Sequence, residues 1–162
     1  MLETQTPNPY PHKFKVTHTH SQFKEQFEPL TKPSELLDDV VSIAGRLTAI
    51  RTSGKKLYFY DIKGEGMTIQ VFASASNYKG TMNFHKIHRM IKRGDIIGVR
   101  GHPTRTKAGE LSIAPGDVQL LSPCLIMMPG HGGLKQKETR YRQRYLDLIV
   151  NNSTRDIFMK RA

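Results

Sequence analysis

The sequence predicts a mainly β fold, a small barrel of five strands with one helix between the third and the fourth. Three observations predict it. Between residues 39 and 123, short runs with apolar residues at every second position recur at close spacing, separated by turns rich in Gly and charge. One helical pattern, and only one in that span, interrupts them after the third run. The first run is long and holds an internal glycine, Gly45, where a strongly bent strand can turn.

Taken in order, residues 1–38 form an extension. Its first 13 residues are rich in Pro, Thr and His and are expected to be loosely ordered. In "HSQFKEQFEPL", Phe23, Phe27 and Leu30 fall at helical spacing, Ser21 can cap the start and Pro33 follows the end. This is a short amphipathic helix that docks on something apolar.

The barrel is expected over residues 39–123. "DDVVSIAGRLTAIR" is the first strand and "KLYFYDIK" the second. "MTIQVFA" is the third, reached through the turn Gly64–Glu65–Gly66. In "MNFHKIHRMIKRG", Phe84, Ile87 and Ile91 share a helix face and Gly94 stands where a C-terminal cap belongs. "DIIGVRG" is the fourth strand. The turn "TRTKAGE" leads to the fifth, "ELSIAP", and "DVQLLS" completes the wall. Residues 124–134, with Pro and Gly and little periodicity, read as a linker. Residues 135–162 are helical again. In "KETRYRQRYLDLIVNN" one face carries Tyr141, Tyr145, Leu148 and Ile149, and "STRDIFMKRA" begins a further periodic segment that looks cut from a longer chain. Three strands, a helix, then two or three strands is the order of the OB-fold, a five-stranded Greek-key barrel whose second and third strands face single-stranded nucleic acid or sugar.

The 162 residues carry a formal net charge of +11. Its distribution is uneven: residues 1–38 have a net charge of −1, residues 39–123 hold thirteen Lys/Arg against six Asp/Glu, and residues 124–162 hold eight against three. A neutral extension ahead of a basic body suits a polyanionic partner, although charge alone fits a solvated basic surface equally well. The single cysteine, Cys124, forbids an intrachain disulfide. Seven scattered histidines without a cysteine cluster argue against a metal site, no secretory signal precedes the Asn151–Asn152–Ser153 sequon, and no apolar run is long enough to span a membrane.

The second strand has apolar rings on both faces. Alternation sends Tyr58, Tyr60 and Ile62 into the barrel, joined from the third strand by Met67, Ile69 and Val71. Phe59 and Gln70 are then left outside, near Arg51 at the end of the first strand. An exposed ring can stack an unpaired base, an interaction of about 1–3 kcal/mol that is indifferent to base identity. An amide offers both a donor and an acceptor to a base edge, and a guanidinium offers a planar fork. Together they suit one nucleotide. The plain alternatives are an aromatic covered by the N-terminal helix and a solvated arginine. Lys55, Lys56, Arg105 and Lys107 lie in turns, where they either meet phosphates or are solvated.

The motifs "PYPHKF", "AGRLTAIRTSGKKLYFYD", "RGDIIGV", "KAGELSI" and above all "KETRYRQRYLDLI" give the chain a family resemblance. It resembles the N-terminal part of lysyl-tRNA synthetases, class II enzymes of the aspartyl, asparaginyl and lysyl subgroup. "PYPHKF" and "GELSI" favour the lysyl member. The resemblance implies that the barrel binds the tRNA(Lys) anticodon loop and that Arg51, Phe59 and Gln70 hold its central uridine, with Phe59 as the stacking ring. It also implies that Glu110 lies near the flanking anticodon bases.

The full enzyme of this family joins lysine to tRNA with ATP and magnesium through a lysyl-adenylate. The arginine-bearing motifs that grip ATP are not found in these 162 residues. The chain by itself is therefore expected to be inactive, without catalytic residues, metal or cofactor, and mostly monomeric, whereas the parent is expected to be a cytoplasmic homodimer with a possible place in a multi-synthetase complex. Residues 135–162 correspond to the start of the catalytic domain. Two other readings stay open: a general single-stranded nucleic-acid-binding module and a protein-docking fragment.

Overall fold

The computed structural model describes residues 13–29, 32, 35–130 and 133–162. They fall into two compact units that part between Leu125 and Ile126.

The first unit opens with helix α1, His20–Phe27. Its cap is Thr19, not the expected Ser21. The Thr19 hydroxyl accepts from the Gln22 backbone N–H, and the Gln22 side chain accepts from the Thr19 N–H. This reciprocal box satisfies two N–H groups that the first turn would leave unpaired, which Ser21 inside the helix cannot do. Phe23 and Phe27 are fully buried in the barrel core, so the apolar surface on which this helix docks is the barrel itself. Leu30 and Pro33 lie outside the described residues.

Five strands follow: β1 (Val41–Thr52), β2 (Leu57–Gly64), β3 (Met67–Ser74), β4 (Ile96–Arg105) and β5 (Leu111–Ser122), with helix α2 (Phe84–Met90) between β3 and β4. They close in the order β1-β2-β3-β5-β4, with β4 returning to β1. All neighbours are antiparallel except β3 and β5. The barrel is closed by a short parallel junction of β3 with β5, Gln70 beside Ser112 and Val71 beside Ile113. The expected fifth and sixth runs are one strand, β5, bent by an irregularity opposite Arg100 and Gly101.

β1 serves two partners. Val41–Arg46 pair with β4 and Arg46–Thr52 with β2. The irregularity in the β2 ladder falls between Leu47 and Ala49, so the bend is at Thr48 rather than at Gly45. Gly45 and Gly64 instead make room for the buried His20 ring, which a Cβ at Gly64 would meet at 2.4 Å. The β2–β3 turn is built on Glu65 and Gly66, both with positive φ, the mirror-image turn whose twist matches antiparallel strands.

Inside the barrel, Tyr60, Ile62, Ile69 and Val71 are essentially solvent-free, as alternation predicts. Tyr58 and Met67 are only half-buried. Tyr58 lies at the end closed by α2, against the Phe84 and His88 rings. α2 buries Phe84, Ile87 and His88. Its N-cap Asn83 accepts from the His85 and Lys86 N–H groups. The helix ends at Met90 with Ile91 as its C-cap, earlier than Gly94 suggested. Gly94 belongs to the next turn, where its N–H bonds the Leu47 carbonyl and its own carbonyl accepts from Arg46. Tyr60 Oη is hydrogen-bonded to His88 Nδ1, which ties the plug helix to the core.

The second unit contains α3 (Lys137–Arg142), α4 (Arg144–Val150) and α5 (Asn152–Arg161). The single long helix expected here is broken at Gln143, whose φ and ψ are −116° and 58°. The break turns the expected apolar stripe apart: Tyr141 and Tyr145 are exposed, while Leu148 and Ile149 are half-buried. A buried carboxylate, Asp147, organises the unit. It accepts from Arg140 Nε at 3.0 Å, Arg144 Nη1 at 2.6 Å and Asn151 Nδ2 at 2.5 Å. Burial would raise its pKa, but these hydrogen bonds and the Arg140 and Arg144 charges outweigh burial and hold it below the ordinary value.

Candidate nucleic-acid interface

The outer face of β2 and β3 opens into a pocket of about 900 Å³, in the upper part of the usual range for ligand pockets. Arg51, Thr52 and Ser53 from the end of β1 form one wall, and Leu57 and Phe59 from β2 the floor, continued by Gln70 and Phe72 from β3. The hairpin from Thr104 to Glu110 forms the opposite wall, with Leu36 beside it. Leu36 is placed there by its bridge to Thr104, whose hydroxyl donates to the Glu35 carbonyl. The pocket thus combines an apolar floor with a rim of cations and amides, the make-up that single-stranded nucleic acid requires.

Phe59 is directly opposite Phe72 across the β2–β3 pair, and the ring centroids are 5.4 Å apart. Phe59 is half-buried, wedged by its neighbour but open to the cavity. It is not a core residue, and it lines the cavity.

Gln70 departs from its expected exposure. It lines the pocket, yet it is only 6% exposed and its amide is engaged. Parallel pairing sets Gln70 beside Ser112. The Ser112 hydroxyl donates to Gln70 Oε1 at 3.0 Å, and Gln70 Nε2 donates to Glu110 Oε2 at 2.6 Å. These two partners fix which way the amide faces. Among the described residues these partners use one Nε2 hydrogen and one Oε1 lone pair, leaving one of each. Ser112, fully buried, is a participant that sequence reading missed. Its place in "GELSI" gave no sign of it, because the contact spans 42 residues.

Arg51 lines the same pocket with a side chain 56% exposed, and its Nη2 donates to Asp61 Oδ1 at 2.7 Å. Arg51, Phe59, Gln70 and Glu110 all line this one pocket. The basic turn residues divide. Lys107 lines the pocket and is exposed. Arg105 lines it too, but its guanidinium is committed to carbonyls, Nη1 to Gly109 at 2.7 Å and Nη2 to Glu28 at 2.8 Å. It braces the β4–β5 hairpin against the end of α1 rather than offering a free fork. Lys55 and Lys56 are exposed in the β1–β2 turn and do not line the pocket. Among the described residues, no group of three or more His, Cys, Asp and Glu side chains could hold a metal ion. None of their helices is long and apolar enough to cross a membrane.

Residues 41–121 match a family described as an OB-fold nucleic acid binding domain. All of the chain aligns with a lysine–tRNA ligase, cla4, of Cladosporium cladosporioides at 47% identity over 168 residues, covering 28% of that protein. It is 41% identical over 160 residues to lysine–tRNA ligase 2 of Methanosarcina mazei, with 98% of this chain and 30% of that protein covered. It is 39% identical over 162 residues to the lysine–tRNA ligase of Thermotoga maritima, with 99% and 32% covered. The chain spans less than a third of the length of these relatives.

Proposed function

Because the chain belongs to the family of OB-fold nucleic acid binding domains, we propose that its outer pocket reads the anticodon of tRNA(Lys) as part of a lysine–tRNA ligase. The observation that carries this reading is the meeting of Arg51, Phe59 and Gln70 in one cavity. They supply a stacking ring, an amide edge and a guanidinium, groups that together can stack and hydrogen-bond a single splayed base. Phe59 stacks the middle base, Gln70 reads its edge, and Arg51 binds a base carbonyl or phosphate. Glu110 acts through Gln70, and Lys107 with Lys55 and Lys56 contributes charge along the backbone. Similarity to lysine–tRNA ligases along nearly the whole chain supports this over a general single-strand binder.

The domain division proposed is an extension (1–38), the anticodon-binding barrel (39–123), a linker (124–134) and the start of a catalytic domain (135–162). The complete protein would be cytoplasmic and homodimeric, and would use ATP and magnesium to form lysyl-adenylate. The 162 residues alone would be inactive and mostly monomeric.

Titration of anticodon stem-loops that differ only at the middle base tests the reading. Uridine at that position should bind best. Equal affinity for all four bases would replace anticodon reading with general single-strand binding.

A further inference from the structure

Asp61 sits on the outer face of β2, two residues beyond Phe59. Phe59 is directly opposite Arg51, so Asp61 is the diagonal neighbour of Arg51. Diagonal partners in an antiparallel pair are about 7–8 Å apart at their backbones, within reach only of a long side chain. Arg51 makes that reach, and Nη2 meets Asp61 Oδ1 at 2.7 Å. The register that allows it depends on the irregularity at Thr48, whose hydroxyl donates to the Asp61 carbonyl at 2.9 Å and pins the strand there. Among the described residues, this bond uses one of the five guanidinium N–H groups, leaving four for a ligand.

An exposed ion pair of this kind adds little to stability. Its effect lies elsewhere. The Arg51 side chain is more than half exposed and would otherwise sample many rotamers at the pocket rim. At the pocket rim, its guanidinium is also a group that a phosphate can capture. We propose that Asp61 is a positioning residue for base reading. It aims the Arg51 fork at the nucleotide over Phe59, and its charge disfavours capture of that fork by the RNA backbone. The inference rests on the pocket reading above and deepens it: the site selects a base rather than a phosphate.

The test uses the whole 162-residue chain and two stem-loops, with uridine or cytidine in the middle position. The readout is the ratio of the two affinities. Asp61→Ala should lower that ratio roughly two- to tenfold, the scale set by ordering one rotamer-rich side chain on binding. Affinity for the cytidine loop should hold or tighten, since a negative charge has been removed. Asp61→Asn, the same shape without the charge, should lower the ratio less. In an Arg51→Ala background, Asp61→Ala should leave the ratio where it is. Thermal melting should be nearly unchanged by either Asp61 variant. A ratio unmoved by both Asp61 variants, or lowered equally with and without Arg51, overturns the proposal alone. A ratio unmoved by Arg51→Ala itself overturns the pocket reading, and this inference falls with it.

Discussion

Gln70 Nε2 donates to Glu110 Oε2 across 2.6 Å, a charge-assisted hydrogen bond between a strand residue and a hairpin residue 40 positions later. With Ser112 on Oε1, it holds the Gln70 amide in one orientation before any RNA arrives. On the proposed reading, specificity at this pocket is preorganised in the free protein, and that can be tested.

Ser112→Ala should leave Gln70 Oε1 without its buried donor. We expect discrimination between middle uridine and cytidine to weaken, with stability lower by about 1–3 kcal/mol, the cost of an unsatisfied buried acceptor. Gln70→Ala should reduce the discrimination more than it reduces overall affinity, because the stacking ring remains. Stem-loop titration and denaturant unfolding measure the two effects. Discrimination intact in Ser112→Ala would show that the amide needs no anchor.

Phe59→Ala should cost about 1–3 kcal/mol of stem-loop binding through lost stacking. Its contact with Phe72 and its half-burial add a stability loss of about 1–2 kcal/mol, modest for an aromatic truncation. Tyr60→Ala should do the reverse. It empties a solvent-free core position, at about 3–5 kcal/mol of stability, and deprives His88 Nδ1 of its hydroxyl partner. If Phe59→Ala proves the more destabilising of the two, the assignment of faces is wrong.

Acid should weaken the barrel above the range where carboxylates titrate. Burial, followed by the nearby His85 charge, pushes the His88 pKa down to about 4, and burial also lowers that of His20 despite the opposing Glu65 charge. Unfolded histidine titrates near 6.5. Between these values the unfolded chain binds protons that the folded one refuses, so stability falls as pH drops from about 6.5 towards 4. The His88 share is on the order of 3 kcal/mol. Denaturant midpoints measured from pH 7 to pH 4 should show this slope, and His88→Gln should flatten it. The Asp147 network acts lower, losing its contribution only as pH falls below the ordinary carboxylate range, because its pKa is depressed.

Salt should weaken RNA binding, with a slope of about −0.7 in log affinity per log salt for each phosphate neutralised on a single strand. Lys55→Ala and Lys56→Ala together should reduce that slope while leaving the middle-base preference alone, since neither side chain lines the pocket. Affinity measured at four salt concentrations decides this. A changed base preference would place these lysines in the reading pocket itself.

Much of this molecule was legible in the sequence because strand and helix periodicity are local. Alternation alone put Tyr60 and Ile62 inside and Phe59 outside, since successive side chains in a strand must face opposite ways. Spacing along the β2–β3 hairpin put Gln70 in the same pocket as Phe59, because a two-residue turn sets the register of everything beyond it. The Phe84, Ile87 and Ile91 stripe marked the plug helix for the same kind of reason.

Tertiary structure decided the rest. Gln70 looked exposed because nothing in "MTIQVFA" says that β5 lies parallel beside it. Only barrel closure brings Ser112 and Glu110 to its amide. Arg105 looked like a free cation until the hairpin carried it to the Glu28 carbonyl, 77 residues away. No local pattern marks Asp147 as a buried residue, yet with the helix broken at Gln143 it lies buried among Arg140, Arg144 and Asn151. Periodicity tells which way a side chain points from its own backbone. Which partner it meets depends on chain segments far away, and the closing of the barrel and the bending of a helix supply them.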